Sequence, residues 1–200
     1  MSRVKQYNRT ELLDRAVELF RRQGFNGTST AELVTEFGVN RKSMYAEFGS
    51  KQQLFEATLE HYSRKHLTQV LAPLEAPDAS LDGIRQAFYG YASASEGLFR
   101  GLGCLMCNTA VERGALDEGS GRFVVAYLER ITRAFRHALS NAQQGGELDP
   151  TVDLDEMAGF LTTALIGMAA SVRAEAPPVQ VWAAYKIVTG VVDALRLPKR

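Results

Sequence analysis

Apolar residues recur every three or four positions along most of this chain, and polar residues fill the gaps. In TELLDRAVELFRRQG (10–24), Leu12, Leu13, Ala16, Leu19 and Phe20 share one helical face. Thr10 is placed to cap the start, and Gly24 to end the helix in a left-handed conformation. GTSTAELVTEFG (27–38) predicts a shorter helix capped by Thr28 or Ser29. Glu32 completes a capping box if the cap is Ser29, Leu33, Val34 and Phe37 face inward, and Gly38 terminates. Asn40 caps a third helix across RKSMYAEF, and Ser50 a fourth. That fourth helix is predicted to run from Lys51 through Leu54, Phe55, Leu59 and Tyr62 towards Leu71, with Pro73 and Pro77 stopping it.

The same period continues to the end. Helices are predicted over 81–97, from about Gly101–Gly103 within 97–114, over 122–146, over 153–175 with Asp153 as cap, and over 177–198 with Pro178 near the first turn. In the 122–146 helix, Val124, Tyr127, Leu128, Ile131, Phe135 and Leu139 form one stripe, and Arg122, Arg130, Arg133 and Arg136 occupy much of the other side. Strand-like alternation is hard to find, so the expected class is all-α. The connection Gly38-Val39-Asn40 between the second and third helices has the length of a helix-turn-helix, though any small bundle with a tight corner shares it. The expected division is residues 1–52 for a three-helix unit and 53–200 for a helical domain. The longest apolar run, 157–172, falls short of the roughly 20 residues a membrane span needs. It lies between Asp155–Glu156 and Arg173 and reads as a buried helix of a cytoplasmic protein, with no membrane association.

Composition changes this picture little. The 200 residues are 46% hydrophobic and 23% charged with no formal net charge, which is ordinary for a globular protein. The distribution says more: through Lys51, nine Lys or Arg stand against six Asp or Glu, and the remainder carries the opposite excess. Two cysteines three apart form no disulfide framework, and the spacing of His61, His66 and His137 supplies no zinc site, so no metal or cofactor is expected.

The third helix is the informative one. It opens on Arg41, Lys42 and Ser43 and has a thin apolar side, Met44 and Phe48. A helix lying in the DNA major groove presents polar side chains at its N-terminal end, where they reach base edges and phosphates. Arg41, Lys42 and Ser43 fit that role, and Tyr45 adds a hydroxyl or a ring. Thr28, Ser29 and Thr30 at the second helix start, Asn40 at the third and Lys51 at the fourth add phosphate donors. Glu47 is an anion beside this surface, and no contact is assigned to it.

Residues 10–55 resemble the DNA-binding domain of the tetracycline-repressor (TetR) family. The residues carrying the resemblance are Ala16, Leu19, Phe20, Gly24 and Phe25; Thr28, Ser29, Leu33 and Val34; then Gly38, Val39, Asn40, Met44, Tyr45, Phe48, Ser50, Lys51 and Leu54. Val34 and Glu47 depart from the pattern, which more often has Ala and His or Arg. The resemblance implies a homodimer on a palindromic double-stranded operator, a small-molecule effector among the middle helices, and dimerisation through the last two. The implied function is a ligand-responsive regulator, expected to be a repressor and not an enzyme.

GLGCLMCNTAVERG holds both cysteines. The series Gly103, Cys104, Leu105, Met106, Asn108, Glu112 resembles one branch of that family, in which some members sense oxidants or electrophiles through a cysteine of this region. Cys104 would sit in a first helical turn near Arg100, where positive potential lowers a thiol pKa; the alternative is two small core residues. Asn108 and Glu112 share a face and would anchor a polar ligand group if buried, or form a local pair if exposed. Phe88, Phe99, Cys104, Cys107, Asn108, Val111, Glu112 and Tyr127 are the expected ligand-binding residues, with plain core as the other reading of the apolar ones. In the last two helices, Ala158, Gly159, Thr162, Thr163, Gly167 and Ala170 allow close approach, and Trp182, Tyr185, Val188 and Val192 form a stripe suited to half of an intersubunit four-helix bundle or to the subunit's own core. Two further readings compete: an enzyme with Cys104 as nucleophile and a His as base, and a helical interaction module that never touches nucleic acid.

Overall fold

Each helix start that sequence marks with a short polar side chain is closed by that side chain or a near neighbour. The computed structural model describes residues 7–98, 100–112 and 118–198. Among them the order is α1 (Arg9–Gly27), α2 (Thr30–Phe37), α3 (Arg41–Phe48), α4 (Lys51–Tyr62), α5 (Thr68–Glu75), α6 (Leu81–Ala94), α7 (Leu105–Glu112), α8 (Glu118–Gln144), α9 (Leu154–Arg173) and α10 (Pro178–Ala194). Ser29, Asn40, Ser50 and Asp153 accept backbone N–H groups of the first turns of α2, α3, α4 and α9, and Ser29 and Glu32 form the full capping box. The cap of α1 differs from the expectation. Asn8, not Thr10, holds that position, its side chain accepting the Thr10 N–H at 2.9 Å, so Thr10 falls inside the first turn.

Gly24 breaks α1 with φ 75° and ψ 176°, and Phe25–Gly27 make a further turn. The α1 face is Leu12, Leu13, Ala16, Val17 and Phe20, with Leu19 half-buried beside it. Leu33, Phe37, Met44 and Phe48 of α2 and α3 close against that face. Phe55 of α4 stands edge-on to Phe20, with centroids 4.8 Å apart, and 4.9 Å from Phe25, so α4 is joined to α1 by aromatic contact.

Pro73 does not end the fourth helix as expected. A π-helical turn, Ser63–Leu67, separates α4 from α5, and α5 carries Pro73 inside it and ends at Glu75. A proline one turn from a helix end removes a single hydrogen bond, and the helix continues only two residues beyond it. The Pro73 carbonyl lies so close to Gly83 of α6 that a Cβ there would overlap it. The second core is built by α6, α8 and α9, with Phe88 stacked on Phe135 at 5.7 Å and Ile131, Leu139, Leu161 and Leu165 around them. The α8 arginines on the opposite side are tied down: Arg130 holds Glu75 with two bonds of 2.7 Å, Arg122 reaches Glu56, and Arg136 reaches Asp155.

The 157–172 run is buried on one face only, which corrects the expected buried helix. Ala158, Leu161, Leu165, Met168 and Val172 face the core, while Phe160, Thr163, Gly167 and Ala170 face outward. On α10, Val188 and Val192 turn inward, and Trp182 and Tyr185 are half-buried against Tyr89. Val179, Ile187 and Val191 are large apolar side chains exposed there. No helix among the described residues is long and apolar enough to cross a membrane.

Candidate nucleic-acid interface and effector cavity

The start of α3 is a polar surface laid over a buried underside. Arg41 and Lys42 are exposed, Met44 and Phe48 are buried, and the Ser43 N–H is taken by Asn40 at 2.8 Å. Tyr45 links α3 to the start of α2. Its hydroxyl lies 3.3 Å from that of Thr30, and the Arg41 guanidinium sits 5.5 Å from its ring. The Thr30 hydrogen bond, then those of Arg41 and its charge, draw the Tyr45 phenol pKa below its usual value. Thr30, Arg41 and Tyr45 are therefore brought together, with the exposed caps Ser29 and Asn40 at the two helix starts beside them.

Two expected contacts sit differently. Thr28 is 1% exposed, and its hydroxyl donates to the Gly24 carbonyl at 2.6 Å, so it closes the end of α1. Lys51 lies over the Phe25 ring at 4.2 Å. Burial lowers its pKa, against the opposing charges of Glu112 and Glu32. Glu47, the anion that had no evident place, turns away from the α3 start. It pairs with Arg9 at 3.4 Å and accepts the Tyr7 hydroxyl at 3.3 Å, and its side chain is largely buried.

The cysteine segment makes a junction between α7 and α1. Glu112 accepts the backbone N–H of Phe25 at 2.9 Å and of Asn26 at 3.4 Å. Its carboxylate fills the space beside Gly24, where any Cβ would collide with it. One turn earlier Asn108 donates to the carbonyls of Leu102 at 3.0 Å and Arg21 at 3.4 Å. Arg21 in turn donates to the Gly103 carbonyl through Nε at 3.0 Å and also through Nη2. Arg173 of α9 binds the carbonyls of Gly101 at 2.7 Å and Arg22 at 2.8 Å. The end of α1 is thus held by side chains from the body of the protein.

Cys104 precedes α7 and accepts the Tyr62 hydroxyl at 3.6 Å. Its thiol lies 3.4 Å from the Tyr127 hydroxyl, and Cys107 lies 3.6 Å from the same oxygen. Both thiols are buried and free. Burial pushes the Cys104 thiol up, but hydrogen bonds from Cys107, Tyr127, the Cys107 backbone and Tyr62 together bring it well below the usual thiol value. Cys107 is pushed up by its bond to Cys104 and by burial.

Beside this cluster, between α4, the π-helical turn, α5 and α6, lies a cavity of about 390 Å³. Arg21, Tyr62, His66, Gln69, Gln86 and Tyr91 bring polar groups to it, and the rest of the wall is largely aliphatic. Tyr62 and His66, four positions apart across the start of the π-helical turn, stack with centroids 5.2 Å apart. The expected ligand residues do not line this cavity. Phe88 lies in the core against Phe135, Val111 is 87% exposed, and Asn108 and Glu112 are engaged with α1. Cys104, Cys107 and Tyr127 stand behind Tyr62 and Tyr91, and Phe99 lies outside the described residues. The α6 stripe Gln86, Ala87, Gly90, Tyr91 and Ala94 was not anticipated. Its signal was a row of small residues at helical spacing flanked by two polar ones.

A tight two-helix corner with a cationic, outward-facing second helix, attached to a helical body that holds a small-molecule-sized cavity, defines a helix-turn-helix transcriptional regulator. Residues 12–58 match the family described as bacterial regulatory proteins, tetR family, and residues 80–187 match the tetracyclin repressor-like C-terminal domain. The chain belongs to the TetR family. It is 30% identical over 175 residues to the HTH-type transcriptional repressor ComR of Escherichia coli (strain K12), covering 86% of this chain and 82% of that one. It is 29% identical over 169 residues to the uncharacterized HTH-type transcriptional regulator YezE of Bacillus subtilis (strain 168), covering 84% and 87%. The fold is similar to that of a CifR cysteine mutant solved with 26-bp operator DNA, with a TM-score of 0.79, 23% identity, and coverage of 94% and 98%.

The Glu112 contacts carry a local prediction. Glu112→Ala removes a charged acceptor from two N–H groups at the α1 break, a loss of about 1.5–3 kcal/mol for such a bond. Amide exchange at Phe25 and Asn26 should accelerate by roughly ten- to a hundredfold, with α8 and α9 unaffected. Unchanged exchange at these two amides would remove Glu112 from that role.

Proposed function

We propose that this regulator binds a palindromic operator as a homodimer, is expected to repress, and is released by a small molecule held in the cavity between α4, α5 and α6. The observation that carries the DNA assignment is the α3 start. Arg41 and Lys42 are exposed there with Tyr45 and Thr30 beside them, while Glu47 pairs with Arg9 and Glu32 is bonded into the Ser29 cap. Arg41 is suited to a guanine edge or a phosphate, Lys42 and Tyr45 to phosphates, and the Ser29, Asn40 and Ser43 positions to backbone contacts of the duplex. Residues 1–52 serve as the DNA-binding part and 53–200 as the effector and dimerisation part. Helix α4 belongs to both, since it packs on α1 and on α8.

The dimer reading draws on the outer faces of α9 and α10. Phe160, Ile187 and Val191 are exposed, and a Cβ at Gly167 or Gly190 would meet nothing in its own chain. Small residues and aliphatic side chains with no intrachain partner are what a second copy of the same helix pair would pack against. An effector that binds better when the two α3 helices no longer match successive major grooves releases the operator by its differential affinity.

A second reading adds thiol control. The Tyr62 and Tyr127 hydroxyls beside the Cys104 sulfur are donors that would stabilise a thiolate, and Cys104 sits at the start of the helix that holds α1. The enzyme reading has less support, because the side chains bonded to Cys104 are phenols and a second thiol, which are poor bases.

Arg41→Ala with Lys42→Ala should weaken operator binding by tenfold or more and lower the slope of log affinity against log salt by about one to two, as phosphate contacts are lost. Full-affinity binding by the folded double variant in a gel-shift titration would contradict the assignment, and a salt-independent affinity would favour an interaction module. For the thiol reading, mass spectrometry after mild peroxide treatment should find Cys104 modified ahead of Cys107; an untouched Cys104 removes it.

A further inference from the structure

The cavity and the junction share a residue. Arg21 lines the cavity and at the same time donates two hydrogen bonds to the Gly103 carbonyl, at the foot of α7. We propose that the effector is a small carboxylate with an apolar body, that its carboxylate takes the Arg21 guanidinium, and that it thereby draws Arg21 off Gly103 and loosens the hold of α7 on α1. This rests on the reading of the cavity as the effector site.

Charge in the wall favours an anion. Arg21 is the one full cation among the lining residues, and no Asp or Glu is among them. Burial, then the charges of Lys65 and Arg21, lower the His66 pKa, which disfavours a second cation in the wall. The amides of Gln69 and Gln86 add donors that a carboxylate or an ether oxygen would use. The cavity, about 390 Å³, lies at the lower end of the roughly 300–1,000 Å³ range of small-molecule sites. A body of one substituted ring or a short branched chain suits that size and the aliphatic wall.

Competition for Arg21 decides the release step. A guanidinium bound to a carbonyl gains from exchange to a carboxylate, which it grips through two parallel, charge-assisted bonds. The carbonyl it leaves belongs to Gly103, held at φ 60° in a crowded turn where a Cβ would come 2.7 Å from that of Arg173. With Arg21 gone, the Gly101–Gly103 turn keeps its bonds to Val172 and Arg173 but loses its direct bond to an α1 side chain, and reaches α1 through Arg173, which also holds the Arg22 carbonyl. Asn108 and Glu112, which ride on the helix that follows this turn, then hold Arg21, Phe25 and Asn26 with one fewer bond between the two helices.

The test uses the full-length protein and a panel of small acids (benzoate, phenylacetate, hexanoate), each paired with its primary amide, measured by calorimetry on the free protein and by release of the operator. At least one acid should bind tenfold or more tightly than its amide and release the operator. Arg21→Gln should abolish that preference, and Arg21→Lys should restore part of it. Without any acid, Arg21→Gln should bind operator about tenfold more weakly, since its α1–α7 link is already open; circular dichroism and the dimer mass establish that it is folded. Amides binding as well as acids, acids binding Arg21→Gln with full affinity, or no acid binding at millimolar concentration would each overturn the carboxylate assignment. Operator affinity of Arg21→Gln equal to wild type would overturn the release route. Gly90→Leu separates the underlying reading: its Cβ enters open space at the centre of the α6 stripe. Acids that bind this variant unchanged bind elsewhere, and the cavity is then not the effector site. Amides that bind wild type and are lost in Gly90→Leu keep the cavity and remove only the anion.

Discussion

The structure turns on one carboxylate at the broken end of a helix. Gly24 stops α1 short of α2, and the Phe25 and Asn26 N–H groups that the break leaves over are taken by Glu112, about ninety positions along the chain. Without that acceptor the elbow between α1 and α2 would have two unpaired donors beside Phe25, which is itself packed on Phe55 and covered by Lys51. The cation, the ring and the carboxylate make one junction. Through it the position of α2 and α3 relative to the body depends on α7, and α7 starts at the thiol and phenol cluster beside the cavity.

This arrangement accounts for the unequal treatment of polar residues around α3. A surface that meets phosphates has to keep its cations exposed and its anions compensated. Arg41 and Lys42 remain outside, whereas Glu47 is folded back onto Arg9 and Tyr7 and Glu32 is spent on the Ser29 cap. Thr28 likewise turns its hydroxyl inward to close α1. The exposed set is therefore smaller than the set of polar residues at the three helix starts.

What was legible in the sequence was local. The caps at Ser29, Asn40, Ser50 and Asp153 and the stripes of α1 and α8 depend on neighbours three or four positions away, and they are as read. What was not legible depends on partners far along the chain. Asn108 and Glu112 were visible as a polar pair on one helix face, but their bonds to α1 follow from how α7 packs on α1. The cavity wall comes from Arg21, a π-helical turn and the small residues of α6, and it is the packing of these elements against one another that makes them a wall. Phe88 and Val111 show the same limit in reverse: apolar periodicity names a face, and packing decides whether that face meets core, cavity or water.

The proposed control of operator affinity by the hold of α7 on α1 is tested at Glu112, a position that belongs to the junction and not to the α3 surface. Fluorescence anisotropy with labelled operator should show Glu112→Ala binding roughly five- to a hundredfold more weakly than wild type, the range of a typical coupling between sites. Its dimer mass and thermal unfolding of the body should stay close to wild type. Wild-type operator affinity in that variant would contradict the claim and leave the junction a matter of stability alone.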